Sequence, residues 1–191
     1  MGTIAAFGPG LQAALLLARG RPEGLTLLGG SAEAAWQAAA RSFWAVALCL
    51  PAFICLYLVG WEQAGVPPDA GHDFALNLLG YGLGWAAFAV LSHALARVIG
   101  RGHLWPRFIA AWNWCNVIQY SLLVLAEVPA LLGAPDWLAE TAWLVAMGWA
   151  LWLEWYVTRL ALDITRAAAV GLVVLDLAIG IALVVVTGAI S

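Results

Sequence analysis

Arg97-Val98-Ile99-Gly100-Arg101-Gly102-His103-Leu104-Trp105-Pro106-Arg107 separates two long apolar runs and places three arginines between them. The runs on either side, 73–96 and 108–130, are each long enough to cross a hydrocarbon layer about 30 Å thick at about 1.5 Å of helical rise per residue. Hydrocarbon offers an unpaired backbone group no partner, so such runs are read as helices and the stretch between them as a loop at one water interface. The same reading carried outward gives further spans at 42–61, 137–160 and 167–190. Every cation of the chain is an arginine, and Arg19, Arg21, Arg41, Arg97, Arg101, Arg107, Arg159 and Arg166 all fall on one side of this five-span topology. The opposite loops carry Glu62, Asp69, Asp73, Asp136 and Glu140 and no cation. Arginine left on one side sets orientation, so the amino terminus is expected in the cytoplasm and the carboxyl terminus in the periplasm.

Composition agrees with lipid as the solvent. Of 191 residues, 64% are hydrophobic and 10% charged, with a mean hydropathy of +0.92, outside the usual range of a soluble globular domain. The expected fold is an all-α integral membrane protein. Residues 1–41 form a cytoplasmic, interfacial or amphipathic helical leader, and residues 42–191 form the five-helix transmembrane domain. In the leader, Leu11–Ala18 is too short to cross and is expected to lie in the interface, with Arg19 and Arg21 reaching anionic head groups. Gly8, Pro9 and Gly10 interrupt the apolar stretch, no cation precedes it, and it is read as retained. Ser31 and Glu33 mark the start of a second short helix, as cap and first-turn acid.

Polar residues inside spans are the candidate sites, because leaving them in lipid is costly. Asn113, Asn116, Tyr120 and Glu127 recur at helical spacing along one face of the third span, with Gln119 on its border. Asp176 stands near the middle of the fifth span at the depth of Asn116, and the two are expected to face each other. Glu154 lies about 7 Å inside the arginine-bearing boundary by helical rise, within reach of Arg107, Asn113 or His93. Arg107, Arg159 and Asp163 complete a charge cluster on that side, expected as a salt-bridged seam between the third and fourth spans. Gly80 and Gly84 make a small-residue step suited to close helix packing.

Cys49, Cys55 and Cys115 fall in spans without metal-ligand spacing, and His72 with Asp69 and Asp73 reads as a solvated acidic loop rather than a metal site. Most of the twelve tryptophans are expected as interface anchors or as gap fillers. No hydrolase, phosphate-binding or dinucleotide motif is present, and neither a cofactor nor a nucleic-acid partner is expected.

The segments Arg19–Leu25, Ser31–Trp36, Arg107–Trp114 and Leu153–Arg159 resemble a family of bacterial five-span inner-membrane proteins, loosely similar to the Yip1 group. The resemblance implies a cytoplasmic amino-terminal segment followed by five packed helices, and no reaction. The function expected is that of a non-enzymatic accessory, scaffold or binding subunit of a membrane complex. Its partners would be the bilayer and either another membrane protein or further copies of itself. A small oligomeric transporter or channel, with a polar path through Asn113, Asn116, Glu154 and Asp176, is the alternative. A lipid-handling or membrane-shaping protein is the third reading.

Overall fold

A computed structural model describes residues 3–190 and is helical throughout, with no strand among the described residues. The helices are α1 (Thr3–Ala18), α2 (Ala32–Ser42), α3 (Trp44–Ala64), α4 (Ala70–Val98), α5 (Trp105–Ala126), α6 (Val128–Leu131), α7 (Asp136–Leu162) and α8 (Arg166–Ile190). Four segments are long and apolar enough to cross a membrane: Ala32–Ala64, Ala70–Val98, Gly102–Leu131 and Arg166–Ala189. Helix α7 spans 27 residues but is not among them, because Glu140, Glu154, Arg159 and its tryptophans dilute its hydropathy.

The turns follow from local chemistry. Gly100 has φ +73, a conformation that glycine adopts without a Cβ clash, and so ends α4 two residues after Val98. Pro106 sits in the first turn of α5, where a missing N–H leaves no bond unmade. Ser31 caps α2 by accepting from the Ala34 N–H at 3.2 Å, with Glu33 in the first turn.

Side-chain pairs define the helix directions. Trp36 meets Trp105 and Ser42 meets Asn113, so α2 runs parallel to α5. Arg107 pairs with Ala161 and Gln119 with Ala150, so α7 is antiparallel to α5. Helix α8 packs antiparallel on α4, where Gly80 and Gly84 face Thr187 and Leu183. These glycines therefore act within the chain: a Cβ at Gly84 would stand 3.3 Å from the Leu183 Cδ1. The helix ends that carry Arg97, Arg107, Arg159 and Arg166 meet at one end of the bundle.

Helix α5 is the axis of the molecule. From Trp105 to Cys115 every side chain but that of the half-buried Arg107 is buried, because α1, α2, α3, α4 and α7 surround it. The amino-terminal residues differ here from the expected interfacial leader. Ala13, Ala14 and Leu17 of α1 belong to the same buried core as Phe108, Trp112 and Trp114 of α5. Phe7 meets Trp114 edge-on at 5.8 Å, and the Tyr156 hydroxyl of α7 donates to the Gly20 carbonyl at 2.6 Å. Helix α1 also continues through Gly8, Pro9 and Gly10 instead of breaking there. Gly10 makes the seating possible, since a Cβ at that position would overlap the Trp114 indole. The short apolar stretch of α1 thus buries one face against protein, while Leu15 on its other face stays exposed.

Candidate functional site

Helix α5 presents Trp112, Asn116 and Tyr120 at steps of four, one above the other on one face. Helix α4 opposes them with Asn77, Tyr81 and Trp85 at the same step, and with Gly80 and Gly84 one residue behind. Helix α8 supplies Asp176, Gly180 and Thr187, and α3 supplies Phe53. These residues line a half-open cavity of about 330 Å³ between α3, α4, α5 and α8. The glycines leave its floor open, where larger residues would bring α4 and α8 into contact through side chains.

The walls are aromatic. The Trp112 ring stacks on Phe88 at 4.2 Å and meets Trp85 edge-on at 5.1 Å. Tyr81 packs on Phe53 at 4.6 Å and on Tyr120 at 6.3 Å, with its hydroxyl held by the Val46 carbonyl at 2.5 Å. Asp176 is the acid of this cavity. Asn116 donates to the Trp112 carbonyl of its own helix at 3.0 Å, which leaves its amide oxygen free to face the cavity.

The cavity continues toward the acidic end of the bundle through Asn77. The Asn77 amide donates to the Asp73 carbonyl at 2.9 Å and lies 3.4 Å from the Tyr57 hydroxyl, which itself donates to the Asp73 carboxylate. Asp69 has a different task, capping α4 by accepting from the His72 N–H at 3.0 Å. Among the described residues no group of three His, Cys, Asp or Glu side chains could hold a metal ion.

The remaining sequence candidates separate into distinct environments. Asn113 is fully buried and turned toward α2, donating to Ser42 at 2.7 Å; a step of three residues rotates it about 60° from Asn116. Gln119 donates to the Ala150 carbonyl of α7 at 2.7 Å and fixes the register of that pair. Glu127 does not join the others: it lines a second cavity of about 430 Å³ with Gln63 and Glu140 at the acidic end. Eleven residues separate it from Asn116, more than 15 Å along the helix by rise.

Arg107, Arg159 and Asp163 were expected as a salt-bridged seam, and the structure gives each a different partner. An Arg107 Nη donates to the Ala161 carbonyl at 3.2 Å. Arg159 lies over the Trp155 ring at 5.9 Å. Asp163, left-handed with φ 51, pairs with Arg101 at 3.4 Å. Asp163 ends α7 and turns the chain into α8, so its carboxylate points at the α4–α5 connection and away from Arg107.

Glu154 meets neither Arg107 nor His93; the His93 ring packs instead on Trp105 at 4.7 Å. Its carboxyl is 6% exposed, stands beside the Trp112 indole and interacts electrostatically with Asp176. Glu154 Oε1, Trp112 Nε1, Asn113 Oδ1, Thr158 Oγ1 and Arg107 Nε are all buried without a hydrogen-bond partner. Trp85 and Trp112, expected to fill gaps or face lipid, are walls of the cavity. Their repeat with Tyr81, Asn77 and Asn116 at steps of four is the signal in the sequence that points to it. Comparison of the chain with family models, with curated proteins and with solved structures returns no match.

Proposed function

We propose that this chain is a five-span integral membrane protein that binds a small monovalent cation in the cavity at Asp176, as the binding step of a transporter. The observation that carries the reading is that one carboxyl, Asp176, lines a single cavity together with Tyr81, Trp85, Trp112 and Tyr120. Aromatic faces attract a cation through the ring quadrupole, and a carboxylate in a medium of low polarity demands a counter-charge. An organic ammonium satisfies both. A largely apolar cavity that holds one carboxyl and two amides, Asp176, Asn77 and Asn116, favours solute handling over the accessory-subunit reading.

The fifth span is α7. Its length, and its antiparallel course along α5 between the Arg107–Ala161 and Gln119–Ala150 pairs, support a crossing despite its lower hydropathy. With five crossings and all arginines at one end, the amino terminus lies in the cytoplasm of a bacterial inner membrane and the carboxyl terminus in the periplasm. Nothing in this reading requires a cofactor, and the bilayer is the first partner.

Titration of the detergent-purified protein with tetraethylammonium, followed by calorimetry and tryptophan fluorescence, tests the proposal. Saturable binding is expected in the wild type, with sodium and potassium as weaker competitors, and Asp176→Asn should weaken it at least tenfold. Equal affinity in Asp176→Asn, or no saturable binding of any monovalent cation by the wild type, overturns the reading.

A further inference from the structure

We infer that Glu154, buried behind the Trp112 wall of the cavity, is a second functional carboxyl, one that exchanges a proton with the arginine-bearing end when a cation binds at Asp176. The inference rests on the cation-binding reading above and adds to it the partner of the exchange.

Position is the first argument. Glu154 stands eight residues before the end of α7 and Asp176 ten residues after the start of α8, which puts them roughly 12 and 15 Å from the same end of the bundle. Both helices pack together, and the two carboxyls are near enough to interact electrostatically. Neither Glu154 nor Asp176 has a salt-bridge partner among the described residues. The titratable groups that share the cavity with Asp176 from the other elements are Tyr120 of α5, which interacts with it electrostatically, and Tyr81 of α4. Neither brings a positive charge. Two neighbouring carboxyls enclosed by apolar helices are most stable when at least one positive species, a proton or a cation, is present between them.

The second argument is the row of polar atoms that leads away from Glu154. Thr158 lies one turn along α7 toward the arginine-bearing end, and Ala161, whose carbonyl holds Arg107, lies most of a turn farther. The Oγ1 of Thr158 and the Nε of Arg107 are buried and unpaired toward that end, as is Oε1 of Glu154 itself. A buried polar atom without a partner costs about 1–3 kcal/mol, and several in a row along one helix interface are the lining that bound water or a moving proton requires. Among the described residues no buried unpaired polar atom belongs to α8. Glu154 is therefore the relay, with the Trp112 indole between it and the cavity.

The exchange balances simply. As a monovalent cation enters beside Asp176, the O–H bond of the Glu154 carboxyl breaks and its proton passes to water at the Arg107 end. The electron pair stays on the carboxylate, nothing is oxidised or reduced, and the net charge of the cavity is unchanged. Proton and cation thus compete, and by mass action affinity for the cation rises with pH.

The experiment is tetraethylammonium binding to the full-length protein in weakly buffered detergent solution, with a pH-sensitive dye to count protons. The wild type should release about one proton per cation bound, and its dissociation constant should fall about tenfold per pH unit where the exchange operates. Glu154→Gln should release less than a fifth as many protons per cation bound and should show a dissociation constant that no longer changes with pH; Glu154→Asp should restore both. Binding by the wild type without proton release, a flat pH profile, or undiminished release by Glu154→Gln overturns the inference and leaves cation binding standing. Absence of any saturable binding by the wild type removes the earlier reading, and the exchange with it. Wild-type stoichiometry and pH profile decide the matter even if Glu154→Gln elutes as aggregate.

Discussion

Trp114→Ala is expected to lower the unfolding free energy by about 3–5 kcal/mol, the range for deleting a large buried aromatic side chain. Trp114 is 2% exposed, meets Phe7 of α1 on its edge and fills the space that Gly10 leaves open. Truncation therefore leaves a void that α1 cannot close without moving. Gly10→Leu attacks the same contact from the other side and should release α1 from α5, seen as new protease cleavage before Arg19. Trp137, 67% exposed, is the control, and Trp137→Ala should change stability by less than about 1 kcal/mol. Unfolding of the three variants in mixed micelles, followed by circular dichroism, measures the difference. Equal effects at Trp114 and Trp137 would show that α1 is not part of the bundle core.

Glu154→Leu should have the opposite sign. A buried polar atom left without a partner costs about 1–3 kcal/mol, which an apolar side chain of similar size recovers. Here the change removes an unpaired carboxyl oxygen and its interaction with Asp176. We expect a higher unfolding midpoint together with loss of cation-linked proton release. A residue that stabilises the protein when removed is one held against stability, as positions serving function often are. A clear loss of stability in Glu154→Leu would mean instead that the carboxyl holds the α5–α7 seam together.

The helical class was legible in composition and run length, and the loop at Gly100 in a glycine between arginine-bearing ends. Four of the five expected crossings are segments long and apolar enough to stand on their own. Helix α7 is the weaker case because its polar residues serve the interior: Glu154 and Thr158 face α5, not lipid, and hydropathy does not distinguish the two. Depth counting brought Asn116 and Asp176 to one level, and both line one cavity, since depth depends only on rise per residue. Azimuth was harder to read. Asn113 and Asn116 shared a face on paper but point to different helices, and Glu127 lies too far along α5 to join them. The partners of Arg107 and Asp163 were not legible either. They depend on how α7 turns into α8 through a left-handed aspartate, a detail of backbone geometry that charge spacing does not encode.

Encasement of the first half of α5 bears on the order in which the protein is made. Phe7 and Gly10 leave the ribosome long before Trp114, the ring on which they rest, has been synthesised. Until then the first helix has no protein surface to occupy, and the nascent chain must hold it in solvent, at the bilayer or on a chaperone. What is translated first is thus among the last pieces to dock, and assembly closes from the amino-terminal end only after the middle of the chain is in place.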